Sequence, residues 1–254
     1  MNQPRVIITR SATQESSSRK LCDELGIHPL IYPSIEYQSL MDQEKISKLL
    51  VALSSIDYVL VTSQNALHFF FDAIKNSTKS FPIHIRWIVL GKTTKHVLED
   101  YGHQAYFFDS SFQTSAQLAK HLLGCKELSR KSILILRPKE SVSDFSTWLK
   151  PLTRNIYEQV LYQTQSSGDG KARFNEDFPI DCDWISFLSP SAVEAFFAFK
   201  KNDEIAHWIF NRGIKIASIG PTTTQKIAEF EVPVSIESPD STFRSLLQEI
   251  KNFD

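Results

Sequence analysis

An α/β fold is predicted, built as two similar parallel-sheet α/β lobes joined by a two-stranded linker with a cleft between them. The first observation is a repeat. Thr62-Ser63-Gln64-Asn65-Ala66-Leu67-His68-Phe69-Phe70 is echoed by Leu188-Ser189-Pro190-Ser191-Ala192-Val193-Glu194-Ala195-Phe196, and Leu90-Gly91-Lys92-Thr93-Thr94 by Ile219-Gly220-Pro221-Thr222-Thr223. The offsets, 189 − 63 = 126 and 220 − 91 = 129, keep the internal spacing, which argues for two related units. The second is a rhythm of short apolar runs alternating with amphipathic helical patterns, the mark of a parallel sheet covered on both faces. The third is a pair of longer, partly alternating β-rich segments, residues 34–40 and 155–164, that interrupt this rhythm.

Taken in order, residues 5–9 (Arg-Val-Ile-Ile-Thr) form a buried-strand run. Residues 11–26 follow as a helix, with Leu21 and Leu25 on one face and Gly26 as its stop. After the extended segment 34–40 comes an amphipathic helix over 42–53, with Asp42 as its cap. Strands are then expected at 57–61, 86–90, 105–108 and 132–136, and helices from Gln64, from Lys92 and over 114–123. The segment 155–164 pairs with 34–40, and the polar residues 165–171 form a loop. Strands at 183–187, 214–219 and 232–236 and helices from Pro190, Pro221 and Thr242 complete the chain. Only one β-α unit precedes the first crossing segment, too little for a lobe of its own. One lobe is therefore expected from both chain ends, residues 1–36 with 165–254, and the other from 41–153, with 37–40 and 154–164 as linker strands.

Composition narrows the function classes. The formal net charge of −1, with scattered rather than clustered Lys and Arg, argues against a nucleic-acid partner. No apolar stretch is long enough to span a bilayer and no signal-peptide pattern opens the chain, so a cytoplasmic protein with no membrane partner is expected. Cys22, Cys125 and Cys182 are odd in number and widely spaced, which suits neither a disulfide framework nor a zinc site. The seven histidines have no metal spacing, and His68, His96, His103 and His121 are expected on surfaces. Phe69 to Phe71 and Phe196 to Phe199 are expected in lobe cores.

Each repeat puts a small hydroxyl residue or a glycine between an apolar run and a helical pattern, where unpaired backbone N–H groups hold anions. Ser63 and Ser189 stand at N-caps, and Pro190 stands at a first helical position that needs no N–H. Gly91 and Gly220 let the backbone approach a ligand, with Thr94, Thr222 and Thr223 beside them, and Asn65 and Ser191 lie in the same turns. Arg10 and Arg137 each end a strand and are candidate partners for carboxylates. A bland reading stands beside each of these. A serine or threonine opening a helix can be a cap alone, Gly-x-Thr-Thr suits any tight strand-to-helix turn, Arg137 can simply close a strand, and Tyr162 can be a strand aromatic.

The motifs together resemble the uroporphyrinogen-III synthase family over nearly the whole chain. The resemblance rests on the order and spacing of Val6-Ile7-Ile8-Thr9-Arg10, Thr62-Ser63-Gln64-Asn65-Ala66, Gly91-Lys92-Thr93-Thr94, Val160-Leu161-Tyr162-Gln163-Thr164, Phe187-Leu188-Ser189-Pro190-Ser191-Ala192, Ile219-Gly220-Pro221-Thr222-Thr223 and Glu237-Ser238-Pro239. It implies a hydro-lyase of tetrapyrrole and heme biosynthesis, with its active site in the cleft between the lobes. Hydroxymethylbilane, a linear chain of four carboxylated pyrroles, would be its small-molecule substrate. Hydroxide would leave the terminal hydroxymethyl group, the substituted carbon of ring D would attack the resulting azafulvene, and a spiro intermediate would rearrange to a macrocycle with ring D inverted. No cofactor and no metal are implied. A monomer is expected, with the preceding pathway enzyme as a further candidate partner. Tyr162 matches the family's cleft tyrosine, and a phenol is a proton donor at neutral pH. The chain departs from the family pattern at Pro138-Lys139-Glu140-Ser141-Val142-Ser143, where a glycine-rich turn with a basic residue is usual. It departs again at Thr153-Arg154-Asn155 and at Phe230-Glu231-Val232, each of which lacks a usual glycine. The rival class is a non-catalytic two-lobe binding protein for a carboxylated or phosphorylated small molecule.

Overall fold

The computed structural model describes residues 3–75, 81–112, 114–141, 143–153, 155–201 and 203–253. Val142 and Arg154, named above among the departures, lie outside them. In chain order the elements are β1 Arg5–Ile8, α1 Glu15–Leu25, β2 His28–Ile31, β3 Ile35–Ser39, α2 Gln43–Ala52, β4 Tyr58–Val61, α3 Gln64–Ile74, β5 Arg86–Val89, α4 Lys92–Asp100, β6 Ala105–Phe107 and α5 Ser115–Leu123. They continue as β7 Ile133–Pro138, α6 Phe145–Trp148, β8 Ile156–Ser166, α7 Gly168–Asp177, β9 Trp184–Phe187, α8 Pro190–Phe197, α9 Glu204–Arg212, β10 Lys215–Ser218, α10 Pro221–Ala228, β11 Ile236–Glu237 and α11 Phe243–Asn252. The chain divides into two compact units, residues 1–37 with 164–254 and residues 38–163.

The first unit holds a sheet in the order β11-β10-β9-β1-β2, parallel throughout. Side chains alternate between its faces, as the two-residue period of a strand requires. Ile7, Ile185, Phe187 and Ile216 pack on Phe174, Phe196, Trp208 and Ile227 of α7 to α10. Val6, Ile8, Trp184 and Ala217 pack on Cys22 of α1 and Leu246, Leu247 and Ile250 of α11. Gly26 closes α1 in the left-handed conformation, φ 70°, that its residue type permits. β2 carries Pro29, which a sheet tolerates at an edge because no ladder N–H is needed there.

The second unit contributes most of a sheet in the order β3-β8-β7-β4-β5-β6, with the pairs from β8 to β6 parallel. One face buries Tyr58, Leu60, Ile88, Ile133 and Ile135 against Leu118 and Leu122 of α5 and Phe145 of α6. Trp87, pointing the other way, packs on Phe70, Phe71 and Phe81. Asp42 caps α2 by accepting from the Lys45 N–H at 2.8 Å, and Thr114 and Gln117 form a reciprocal capping box on α5. β3 and β8 are neighbours in this sheet, and the bonded pairs Leu40 N to Leu161 O and Ser167 N to Ser34 O give equal residue sums, 40 + 161 = 34 + 167 = 201. A constant sum is the register of an antiparallel pair.

The two sheets share one spatial order. Reading β6-β5-β4-β7-β8 beside β11-β10-β9-β1-β2, each strand has a counterpart, and the second set is a circular permutation of the first. The register agrees residue by residue. Leu60 lies opposite Ile135 and its counterpart Ser186 opposite Ile8, so the offset across this pair is 135 − 8 = 127, and Arg137 falls on the position of Arg10. Val61 lies opposite Val89 and Phe187 opposite Ser218, so Ser63 and Gly91 fall on the positions of Ser189 and Gly220.

Several elements differ from the sequence reading. The expected loop over 165–171 is instead the end of β8 followed by the first turn of α7, and β2, α6 and α9 are additional. The expected strand over 232–236 is only Ile236–Glu237, after Pro233, which has no N–H to give a ladder. His103 is not a free surface group but stacks on Phe71 with ring centroids 5.2 Å apart.

Candidate functional site

In open parallel sheets the ligand crevice lies beyond the carboxyl ends of the strands, where the strand order reverses direction. In the second unit that point falls between β4 and β7, and in the first between β1 and β9. Apart from Tyr162 on β8, the candidate residues end or follow the strands at these two points and the next strand out, β5 or β10, in equivalent positions.

In the second unit, Ser63 ends β4 and opens α3 with extended backbone, φ −136° and ψ 130°. Its hydroxyl does not cap the helix. It lies 3.2 Å from the hydroxyl of Tyr162 instead. Tyr162 is 4% exposed, and its ring stacks on Phe69 at 4.7 Å and 15°. Phe69, expected in the core, is only partly buried because it covers this phenol. Asn65 stands one residue into α3, half-buried. Gly91 caps α4 at φ 89°, ψ 136°, a conformation that an L side chain resists. Thr94, three residues on, is buried beneath this turn. Arg137 donates from Nη1 to Glu158 at 2.6 Å, from Nε to the Pro138 carbonyl at 3.2 Å and from Nη2 to the Lys139 carbonyl at 3.4 Å. Its charge is thus met inside the protein, where the sequence reading has it meeting a ligand carboxylate.

In the first unit, Arg10 follows β1 with its guanidinium 4.6 Å from the centre of the Phe243 ring and 3.3 Å from the Ser18 hydroxyl. Burial pulls its pKa below the usual arginine value, against the opposing pull of Tyr37 and Cys22. Among the described residues no carboxylate pairs with it, in contrast to Arg137. Ser189 caps α8 by accepting from the Ala192 N–H at 3.1 Å, and its hydroxyl is 3.1 Å from that of Ser191. Gly220 opens α10 in extended backbone that any residue adopts, and an added Cβ would lie 3.1 Å from the Ser241 hydroxyl, a tight contact that the serine side chain would have to ease. Thr222 is exposed, whereas Thr223 is 1% exposed, and its hydroxyl has no hydrogen-bond partner among the described residues. Both Gly-x-Thr-Thr turns therefore expose their first threonine and bury their second.

Glu158, Phe69, Ser18 and Phe243 are the contacts that sequence reasoning missed. Glu158 had one signal: in a strand parallel to β7, a carboxylate two residues before the Val160 that faces Arg137 is within reach of a long guanidinium. Among the described residues no cluster of three metal-ligating side chains occurs, and no helix is long and apolar enough to cross a membrane.

Comparison with known proteins bears on the whole chain. The family model described as uroporphyrinogen-III synthase HemD matches residues 16–248. The chain belongs to the uroporphyrinogen-III synthase family. A uroporphyrinogen-III synthetase from Helicobacter pylori has the same fold with a TM-score of 0.68 at 18% identity, covering 99% of this chain and 100% of that one. A mutant uroporphyrinogen III synthase from Thermus thermophilus gives 0.63 at 16% identity, covering 98% and 97%. The porphyrin biosynthesis protein HemD of Ruminiclostridium josui is 22% identical over 204 residues, 78% of this chain. This chain spans 40% of that relative's length.

Proposed function

We propose that this chain carries the family's activity: it closes hydroxymethylbilane to uroporphyrinogen III, with loss of water and inversion of ring D. The family match over residues 16–248 carries the reading. The chemistry asked of the protein is modest and suits what the chain offers. The C–O bond of the hydroxymethyl group breaks as the pyrrole nitrogen donates its electron pair, and a proton from the Tyr162 hydroxyl lets the oxygen leave as water. Ring D then attacks the exocyclic carbon through its substituted position. In the spiro species the old bond from that position to its methylene breaks, the methylene bonds to the free α-carbon of ring D, and the proton lost from that carbon replaces the one Tyr162 gave. Holding the flexible chain in the folded conformation favours this route over simple end-to-end closure, because orientation supplies much of such selectivity.

The carboxylate arms are assigned to the turns after β1, β4, β5, β9 and β10. Arg10 is the cation with charge to spare, and Ser63, Asn65, Gly91, Ser189, Ser191, Gly220 and Thr222 supply backbone and hydroxyl donors. We assign a cytoplasmic monomer that takes its substrate from the enzyme making hydroxymethylbilane.

The test is to supply enzymatically generated hydroxymethylbilane and resolve the oxidised porphyrins by isomer. Mostly type III product is expected, and mostly type I product at high protein concentration overturns the reading in favour of a binding role. Tyr162→Phe removes only the hydroxyl, so turnover should fall by roughly tenfold to a thousandfold, toward the lower end, since a hydroxymethylpyrrole ionises readily without help. Unchanged turnover would remove Tyr162 from proton donation.

A further inference from the structure

Tyr162 reaches its position through an irregularity in the sheet. Arg137 of β7 lies opposite Val160 of β8, but the next residue, Pro138, lies opposite Tyr162, so Leu161 is an extra residue in β8. Such a bulge re-aims the side chains that follow it. Leu161 and Tyr162, the two residues at the slip, are buried, 0% and 4% exposed. Pro138 is a sequence cause of the slip, because a proline inside a sheet cannot donate to the ladder and is tolerated at bulges. Beyond the slip the ladder resumes, with Lys139 N–H donating to the Tyr162 carbonyl at 2.9 Å.

All three nitrogens of the Arg137 guanidinium are used on this irregularity. Two hold the carbonyls of Pro138 and Lys139 on its own strand, and the third holds Glu158 across on β8. The ion pair is partly shielded, with side-chain exposures of 22% and 27%. The cation therefore joins the strand that carries the proline to the strand that carries the tyrosine, at the register where they slip.

We propose that Arg137 and Glu158 are positioning residues, a staple across the β7–β8 bulge that aims the Tyr162 hydroxyl at Ser63 and its ring at Phe69. The pair acts through Tyr162 and touches no reacting atom. The inference rests on the reading of Tyr162 as proton donor given above, so its test needs a readout independent of turnover.

Protein labelled with 3-fluorotyrosine provides one. The Tyr162 fluorine resonance is identified by its absence from Tyr162→Phe, and it is then followed in Glu158→Gln, Arg137→Ala, the double variant and Arg137→Lys. The resonance should move or broaden in all four, while those of Tyr32, Tyr58 and Tyr101 stay in place. In the isomer assay kcat should fall about tenfold in each single variant with KM within about twofold, and the double variant should be no worse than either alone, as for two halves of one device. Arg137→Lys keeps the charge and the fold but cannot span three acceptors, so it guards against loss of folding in Arg137→Ala. A Tyr162 resonance that does not respond overturns the proposal. So does a KM about tenfold higher in Arg137→Ala with Glu158→Gln unaffected, because that pattern belongs to an arginine that grips a substrate carboxylate. Should the wild-type protein make no type III isomer, the proposed function fails while the fluorine spectra still decide the staple.

Discussion

One buried hydroxyl in the first unit has no hydrogen-bond partner among the described residues. Thr223 lies in α10 with its hydroxyl shielded and unbonded, and leaving such a group unsatisfied costs about 1–3 kcal/mol. Valine has the same shape without that cost, so Thr223→Val should raise Tm by a few degrees, in line with a gain of about 1 kcal/mol. Product affinity should change by less than about twofold, and a loss of about 1 kcal/mol in binding would instead return the hydroxyl to the ligand. Thermal unfolding with and without product measures both. His103 gives a pH dependence. Packed among Phe71, Phe81 and Trp87, it has its pKa held below the usual histidine value by burial. The folded pKa is therefore below the unfolded one, which is near ~6.5. The stability linked to the neutral ring is complete above that unfolded value and is lost as pH falls toward the folded one. Between about pH 7.5 and 5.5, a window that brackets the unfolded value, the wild-type Tm should fall by more than that of His103→Phe, and equal slopes would show that the ring protonates as easily in the folded state. The thiols of Cys22 and Cys182 are pushed up to about 11 and about 12 by burial, which keeps them protonated at neutral pH.

Among the elements, those with strong periodicity were legible and those stabilised by one distant contact were not. The helix ending at Gly26, the Asp42 cap and the strand-to-helix turns at Ser63 and Ser189 all follow from residue type and spacing. α7 does not. Its Gly-Asp-Gly-Lys opening is a poor helix former, and the turn stands because Ser167 accepts from the Gly170 N–H at 3.1 Å and Gly170 lies flat against the carbonyl of Pro33. A Cβ there would come within 1.8 Å of that carbonyl oxygen, and a backbone atom cannot swing aside. Gly170→Ala should therefore cost about 3 kcal/mol and lower Tm or soluble yield sharply, even though alanine is the better helix former. A neutral outcome would mean that α7 can lift off Pro33 freely. The bulge before Tyr162 was illegible for a similar reason. Pro138 marks a break in the ladder, but the side to which the chain slips is decided by Arg137 and Glu158, on two strands far apart in sequence.

At the scale of the whole molecule, the repeat read from the sequence is real but incomplete, because it covers only the three strands that keep their order in both units. β4-β5-β6 and β9-β10-β11 are read in the same direction along the chain, whereas the counterparts of β7 and β8 come first in the other unit, as β1 and β2. A search for one collinear repeat therefore finds offsets of 126 and 129 and cannot see that Arg10 and Arg137 are equivalent. The permutation also states where the chain can be cut. Tyr37 and Thr164 end the two stretches of the first unit, and in the antiparallel register of β3 and β8, whose residue sums are 201, they stand directly opposite each other. The bonded pairs of this register fall on even β3 residues, so the next one is Gln38 with Gln163, and a bonded pair is what a two-residue turn closes, with Asn-Gly the preferred sequence. Replacing residues 39–162 by Asn-Gly should therefore give a continuous first unit, with its sheet and both of its packed faces intact. Tyr37 would keep its place beside Ile35, Ala192 and Ala195, so the new hairpin has apolar contacts to hold it down. The expected result is a single cooperative thermal transition, dispersed amide resonances and a Trp184 and Trp208 fluorescence that shifts only on unfolding. A broad transition with dye-binding, collapsed chains would mean that this unit depends on the rest of the chain for its fold, and that the boundary at residues 37 and 164 is a division of contacts without being a division of stability.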